Sequence, residues 1–451
     1  MYEYKAKASG SARGEDAPVA TKLHYRQPPV NWLRHLSDDR TLILAALVVA
    51  LACWGLGERV TVGGGFGWDG VHYGQWARAF RQEILVKRVD SYHIQRILPS
   101  AIIHYSLRIL HVSLKDSHLL RAFCIYGVFL LTLTAWAWCG IARELGISTA
   151  GKWLGFVGFF LNHITLKYAF FCPATTDTTA YALGVLMLYC HLTRKTKSLC
   201  VVTFLGAFAW PLCVYVGALL LLFPRPRTEG DVSESAPRRL HLVAAMLLTI
   251  LALVGIKMAL RVPANMSTTL VGDGFVEPIR AFLNLSIGLC LGYLFLGSFF
   301  LLNTRQLFHW SSLFTWGRLR NAFLALLLLA GIRLTQYGLA NSEPFFPMHI
   351  FLRLTAYSAI AKPGIFLVTN VAFYGPMFLL MMFLWPAVCR HIHRQGPGLT
   401  LAVLLGLLLS VNSQSRFYLN IFVMILPFVI QATDDLAWGK RLYVLVAITS
   451  L

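Results

Sequence analysis

Apolar segments long enough to span a membrane recur along most of this 451-residue chain. The first of them, residues 41–57, can cross a bilayer with little tilt, because a helical crossing takes roughly 17–25 residues. Within the hydrocarbon core the backbone must satisfy its own hydrogen bonds, so such segments are helical. The recurrence therefore predicts an all-α fold, a polytopic bundle of transmembrane helices.

Composition supports this class and excludes others. The chain is 57% hydrophobic and 13% charged, whereas soluble domains are roughly 45–50% apolar and about 25% charged. Its formal net charge of +20 is spread between apolar runs, which favours anionic lipids and phosphates as partners and argues against nucleic acid. The nine cysteines include no C-x-x-C pair, so they predict small core residues and neither a disulfide framework nor a metal site.

The distribution of basic residues predicts the topology. Residues 1–38 form a basic tail, which the positive-inside rule places in the cytoplasm, and residues 39–451 form the transmembrane domain. Its first external loop covers residues 59–118, with a basic segment at 98–113 that we interpret as an interfacial juxtamembrane helix. We interpret residues 199–223, broken at Trp210-Pro211, as a hairpin. The alternative makes 98–113 a crossing and 199–223 a single span.

This topology gives about 13 crossings in a multi-pass protein of the inner cell membrane. They are residues 41–57, 120–142, 155–171, 181–192, the two halves of 199–223, then 241–260, 281–302, 321–340, 364–386, 398–411, 417–432 and 440–451.

One stretch of the first external loop stands out. Asp69 lies between Gly67 and Gly70, just beyond the first crossing. An aspartate at a membrane surface is tolerated where water reaches it, and a glycine lets the backbone turn and a ligand approach closely. Trp68 and Tyr73 suit the interface, where a ring meets both lipid and water. The alternative is a loop acid within an aromatic belt.

Two further polar residues fall on the same predicted face. Asp177 follows the third crossing, and Arg416 precedes the crossing at 417–432. A carboxylate can accept a proton from a hydroxyl, and an arginine can hold a phosphate through forked hydrogen bonds. The alternatives are that Asp177 caps a helix and that Arg416 only binds lipid headgroups at the interface.

Other basic residues divide between the two faces. Arg96 lies before Leu98-Pro99, and Arg353 lies in a predicted external loop where basic residues are unexpected, so both are candidates for binding phosphate. The alternative for both is a charge on an interfacial helix. We interpret His391 and His393 as charges of a cytoplasmic loop, since no acid or cysteine accompanies them as a metal ligand.

Taken in order, these motifs resemble the integral-membrane glycosyltransferases of the C superfamily (GT-C). Asp69, in W-D-G-x-x-Y, resembles the catalytic base of that family's first external loop. The element around Arg96, the turn at 142–146, the loop at 173–177 and the broken hairpin at 199–223 are also similar. Arg416 resembles the late arginine that faces the lipid phosphate.

The resemblance implies a GT-C-like bundle with external juxtamembrane helices that transfers a sugar from a polyprenyl-phosphate donor, with inversion, on the external or periplasmic face. Asp69 would be the general base, and Tyr73, Arg96, Asp177, Arg353 and Arg416 would bind substrate. The second loop lacks the D-x-D pair of some members, so a divalent cation bridging Asp69 and Asp177 stays an open question, and no other cofactor is expected.

Two other functions fit the same composition. A transporter or flippase of lipid-linked sugars would use the same basic cavity without a catalytic acid, although the chain shows no internal repeat of the kind that transporters often carry. A polymerase or ligase of surface polysaccharide would work through one large external loop, whereas here the polar residues are spread over several loops. The sugar, the acceptor and any partner subunit stay open.

Overall fold

The computed structural model describes residues 32–226, 235–261, 279–308, 315–341 and 348–436. These residues form 18 α-helices joined by short 3-10 and π-helical turns, with an isolated bridge between Val89 and Ala340. The helices are α1 (Trp32–Leu56), α2 (Gly70–Phe80), α3 (Leu98–Ile109), α4 (Asp116–Glu144), α5 (Thr149–Phe160), α6 (Ala169–Phe171), α7 (Asp177–Leu192), α8 (Thr196–Gly206), α9 (Pro211–Leu222), α10 (Arg238–Leu260), α11 (Leu283–Leu301), α12 (Trp316–Leu339), α13 (Met348–Ile360), α14 (Ile365–Tyr374), α15 (Pro376–Phe383), α16 (Trp385–Arg394), α17 (Pro397–Leu409) and α18 (Leu419–Asp435).

The structure confirms an all-helical, multi-pass membrane protein. Six segments are long and apolar enough to cross a bilayer, and the number rises to eight if two bent helix pairs each count as one span. The bends are 52° between α5 and residues 164–171, and 95° between α13 and α14. The 13 predicted crossings are therefore not confirmed, and the last of them, residues 440–451, lies outside the described residues. Helix α1 begins at Trp32, within the range predicted for the tail.

The crossing predicted over residues 364–386 is not one continuous helix, because three short helices, α14 to α16, occupy this stretch. Gly375 separates the first two with φ +67°, a conformation that glycine adopts at little cost. Pro376 and Pro386 each lie in the first turn of the helix that follows, where the missing N–H has no helical partner to lose.

The break predicted at Trp210-Pro211 is confirmed. Trp210 is extended (φ −154°, ψ 124°), and Pro211 begins α9. Helices α8 and α9 then pack side by side, so closely that a Cβ atom at Gly206 would lie 2.6 Å from the Cβ of Cys213.

Helix α3, the segment predicted to be interfacial, has only 12 residues and docks on α2. The Ser100 hydroxyl donates to the Tyr73 carbonyl (2.9 Å), and the His104 ring hydrogen-bonds to the Ala77 carbonyl (2.8 Å). These contacts fix the chain near Tyr73 against the helix that follows Arg96.

The centre of the protein is the contact between α7 and α18. Nearly all of α18 is buried, and Gly184 of α7 lies against its backbone, where an added Cβ would be 2.3 Å from the carbonyl oxygen of Asn420. Only a residue without a side chain permits this approach. Because α7 and α18 are so closely joined, their N-terminal segments, which carry Asp177 and Arg416, are held next to each other.

Candidate functional site

Three of the sequence-predicted residues come together at the N-terminal ends of α2, α7 and α18. Asp69 immediately precedes α2, Asp177 is the first residue of α7, and Arg416 lies in the 3-10 turn Ser415–Tyr418 before α18. Arg416 is close enough to interact electrostatically with both Asp177 and Asp69. Together with Arg96, which interacts with Asp177, we call these residues the acid–arginine cluster.

The loop that carries Asp69 packs directly on the loop before α7. Gly67 has φ +81°, and a Cβ atom there would lie 3.2 Å from the sulfur of Cys172. On the other side of Asp69, a Cβ at Gly70 would lie 3.4 Å from the Cβ of Ala174. The two glycines therefore allow the loops to touch, which brings Asp69 toward Asp177.

The carboxylate of Asp177 is buried at the centre of the cluster, and the residue is only 2% exposed. Its Oδ1 atom has no hydrogen-bond partner among the described residues. Thr176 occupies the cap position, and Asp177 lies in the first turn, where the helix dipole favours a negative charge. Its neighbours of opposite charge, Arg96 and Arg416, interact with it across space.

Arg96 is also buried, and its guanidinium faces two aromatic rings. The Cζ atom lies 4.4 Å from the ring centroid of Tyr92 and 5.0 Å from that of Trp210, which stabilises the positive charge through the negative ring faces. Burial lowers the pKa of Arg96, but Tyr73, Tyr92 and Asp177 together raise it by a larger amount. Its net pKa therefore lies above the ordinary value. Arg96 is therefore a permanent cation inside the protein.

Tyr73 completes this side of the cluster. Burial raises the pKa of Tyr73 to about 12, although Arg96 opposes the shift. The hydroxyl therefore stays protonated at neutral pH. The Tyr73 hydroxyl lies close enough to the Arg96 guanidinium to interact with it. The Nε atom of Arg96 has no hydrogen-bond partner among the described residues, so this N–H is available to a bound anion.

Local hydrogen bonds fix the position of Arg96. Asp90 accepts from the backbone N–H groups of Tyr92 (2.9 Å) and His93 (3.0 Å), and it pairs with the His93 ring. At the other end of this turn, the Leu98 N–H donates to the Phe208 carbonyl (2.8 Å). The turn is thus attached to the chain that leads into Trp210.

The turn that carries Arg416 is held in the same way. The Tyr374 hydroxyl donates to the Ser415 carbonyl (2.6 Å), and Nη1 of Arg416 donates to the Tyr168 hydroxyl (3.4 Å). The Arg416 guanidinium also faces the ring of Phe417, 5.8 Å from its centroid. Its described hydrogen-bond partner is neutral, so the side chain can still take a phosphate oxygen.

Arg353 is not brought into the cluster by any contact among the described residues. It is half-buried on α13, and no hydrogen bond or ion pair joins it to Asp69, Asp177 or Arg416 there. Thr355, on the same helix, does contact the edge of the site, because its hydroxyl accepts a hydrogen bond from the Asn412 amide (3.1 Å). Helix α13 thus packs on the loop that leads to Arg416.

Sequence reasoning missed the aromatic partners of the two arginines. Trp210 carried a signal, since the following proline marked the helix break, but Tyr168 and Tyr92 carried none. Across the described ranges, no group of three or more His, Cys, Asp or Glu side chains is arranged to hold a metal ion.

Comparisons with known proteins give one distant similarity of structure. No family model matches the sequence, and no curated protein matches it. The fold is similar to the archaeal oligosaccharyltransferase AglB from Archaeoglobus fulgidus, solved with an inhibitory peptide and a dolichol-phosphate, with a TM-score of 0.46 and 11% identity. The match covers 93% of this chain and 54% of that chain, so this chain spans about half its length. Function is therefore inferred from the acid–arginine cluster itself.

Proposed function

We propose that this protein is a membrane glycosyltransferase that moves a sugar from a polyprenyl-phosphate donor to a hydroxyl of a glycan, lipid or protein acceptor. One observation carries the proposal: the loop of Asp69 packs on the loop before Asp177, α7 packs on α18, and Arg416 lies near both carboxylates. A base for the acceptor and a cation for the leaving phosphate thus lie in a single site, on segments far apart in the sequence.

The reaction is a direct displacement. The acceptor oxygen attacks the anomeric carbon while its proton passes to the carboxylate of Asp69, which is half-buried and so within reach of an acceptor. The bond between the anomeric carbon and the phosphate oxygen breaks, and its electron pair leaves with the lipid phosphate. Arg416 stabilises the charge that develops there. Because no second nucleophile takes part, the anomeric configuration inverts.

The remaining residues place and hold the donor. Arg96 and the neutral hydroxyl of Tyr73 supply further donors to the phosphate group. Asp177 holds both arginines by its charge and lines the donor side of the site. Arg353 would contact a more distant part of the donor, since α13 borders the loop before Arg416. The cluster opens on the external or periplasmic face of the cell membrane, with the N-terminus in the cytoplasm.

Transfer of a labelled sugar tests this proposal. The protein in proteoliposomes is given polyprenyl-phosphate-linked mannose, glucose or galactose, and an acceptor extract from the source membrane. Asp69→Asn should lower the rate about 10²- to 10⁴-fold, the usual contribution of general base catalysis. The matched control is Asp116→Asn, an exposed aspartate that pairs with Arg78 near the start of α4 and should transfer at the wild-type rate.

Two outcomes would contradict the proposal. Wild-type transfer by Asp69→Asn would remove this residue from the mechanism. Movement of the labelled donor across the vesicle membrane, with no new glycosidic bond formed, would instead support a transporter.

A further inference from the structure

Buried polar atoms without a hydrogen-bond partner gather beside the acid–arginine cluster. Among the described residues, they include Oγ1 of Thr176, Nε1 of Trp210, the hydroxyl of Tyr418 and Oδ1 of Asn420. Leaving such an atom buried and unpaired costs about 1–3 kcal/mol, and native structures rarely do so without a reason. Four in one neighbourhood therefore indicate a ligand or bound water that satisfies them.

These four groups lie on three segments of the chain that pack together near Asp177. Thr176 directly precedes it, and Trp210 faces the guanidinium of Arg96, which interacts with Asp177. Tyr418 belongs to the turn of Arg416, and its ring lies 5.3 Å from that of Tyr374, a second neighbour of Asp177.

Asn420 closes the group on the side of Trp210. Its amide contacts the sulfur of Cys213 (3.8 Å), and the backbone N–H of Cys213 donates to the Trp210 carbonyl (3.0 Å). The side-chain oxygen of Asn420 is left without a partner in the described part of the chain. The unpaired groups therefore lie on three segments, at the starts of α7, α9 and α18, that pack together, and we call these four groups the lining.

The chemistry of these groups fits a sugar better than a phosphate. They are two hydroxyls, an indole N–H and an amide oxygen, all uncharged, and they include both donors and acceptors. Each sugar hydroxyl also donates and accepts, whereas a phosphate only accepts and is matched by the arginines next to this lining. We propose that Thr176, Trp210, Tyr418 and Asn420 bind the hydroxyls of the transferred sugar and set which sugar is accepted. This proposal rests on the glycosyltransferase function proposed above.

The test uses variants that keep shape and remove hydrogen-bonding capacity. Thr176→Val and Asn420→Leu are assayed with polyprenyl-phosphate-linked mannose, glucose and galactose, which differ in the orientation of single hydroxyls. Each variant should lower kcat/KM for the preferred donor about 3- to 10-fold, the effect of losing one neutral hydrogen bond. The preference among the three donors should shrink by a similar factor, because the lost contact no longer distinguishes them.

A matched control separates sugar binding from general effects on the fold. The Ser286 hydroxyl of α11 is equally buried and lacks a partner among the described residues, but it lies outside this lining. Ser286→Ala should leave the donor preference unchanged. If a Thr176 or Asn420 variant does not fold, Trp210→Phe keeps an aromatic ring facing Arg96 and removes only the indole donor.

The outcomes distinguish this inference from the proposed function. If the wild type transfers sugar but folded variants keep its preference among the three donors, the groups bind water and the inference is wrong. If the wild type transfers none of the three sugars to any acceptor, the glycosyltransferase proposal fails first.

Discussion

Buried carboxylates near the two ends of α1 differ in how directly they are paired with basic side chains. At the N-terminal half, the carboxylate of Asp39 is paired directly, with Nζ of Lys152 at 2.8 Å and Nε of Arg143 at 3.4 Å. Lys152 is only 2% exposed, so this is an ion pair within the protein interior. Beyond the C-terminal end, Asp177 has two arginines within electrostatic range, yet its Oδ1 atom has no hydrogen-bond partner in the described residues.

Other contacts at the Asp39 end follow the same rule of direct pairing. Ser148 donates to Asp434 through its N–H (2.8 Å) and its hydroxyl (2.6 Å). His391 lies 3.0 Å from the carboxylate of Asp435. These pairs join α5 and α16 to the end of α18. The charges of the Asp39 end therefore stabilise the helix arrangement, whereas we propose that those of the acid–arginine cluster bind a ligand.

The largest expected effect comes from exchanging aspartate for asparagine at each end. Asp39→Asn leaves the ammonium of Lys152 buried without a charged partner, which should cost about 3–5 kcal/mol of unfolding free energy. Asp69→Asn, at a half-buried position, should change it by less than about 0.5 kcal/mol while lowering the rate of transfer about 10²- to 10⁴-fold. Denaturant unfolding in detergent, with transfer measured on the same samples, checks both.

Equal destabilisation by the two substitutions would contradict this difference between the two ends of α1. It would mean that Asp69, like Asp39, serves the fold.

The next largest effect separates two arginines. Arg416→Ala should raise the KM for the donor about 30-fold or more, because truncating one partner of a buried charge pair typically costs 2 kcal/mol or more. Arg143→Ala, at the Asp39 end, should leave that KM unchanged. The readout is the initial rate of transfer against donor concentration, and a similar rise in both variants would contradict the assignment.

The sequence predicted the acid–arginine cluster better than its surroundings. Asp69, Asp177 and Arg416 each follow or precede an apolar segment, so topology alone placed them on one face. Arg353 was assigned to the site by the same reasoning, but no contact among the described residues joins it to the cluster. Counting crossings predicts at which end of the helix bundle a residue lies. Which residues at that end are neighbours depends on how the helices pack, and the pattern of apolar segments does not encode this packing.

The interpretation of His391 and His393 as loop charges is wrong, for a related reason. Both are buried in α16, where His391 pairs with Asp435 and His393 hydrogen-bonds to the Leu301 carbonyl (2.8 Å). These partners come from distant segments, so nothing near the histidines in the sequence indicates them. The pairing of Asp39 with Lys152 escaped prediction in the same way.

A smaller effect tests the helix cap at the Asp39 end. Ser148 caps α5, since its hydroxyl accepts from the Gly151 N–H (3.0 Å), and it also donates to Asp434. Ser148→Ala should lower stability by about 1 kcal/mol and leave the donor KM unchanged. Thermal unfolding measures the change, with the exposed Ser113→Ala as control; an unaltered Tm would show that this contact is dispensable.

The smallest effect concerns pH. Burial raises the pKa of Asp90, but hydrogen bonds from His93 and the backbone lower it by a larger amount. The net pKa therefore lies below its ordinary value of about 3.9. Its contribution to stability is therefore present above about pH 4 and is lost as pH falls through the folded-state pKa. The Tm difference between wild type and Asp90→Asn should narrow between pH 6 and pH 3. A constant difference would contradict this role.

Binding of the donor tests most directly whether the acid–arginine cluster is kept for a lipid-linked phosphate. Equilibrium binding of a labelled polyprenyl-phosphate sugar is measured for the wild type, Arg416→Ala and Arg143→Ala in the same nanodiscs. We predict saturable binding to the wild type, unchanged affinity in Arg143→Ala, and a Kd at least about 30-fold higher in Arg416→Ala, as expected for loss of a buried charge pair. Equal affinity in all three proteins, or no saturable binding to the wild type, would contradict it.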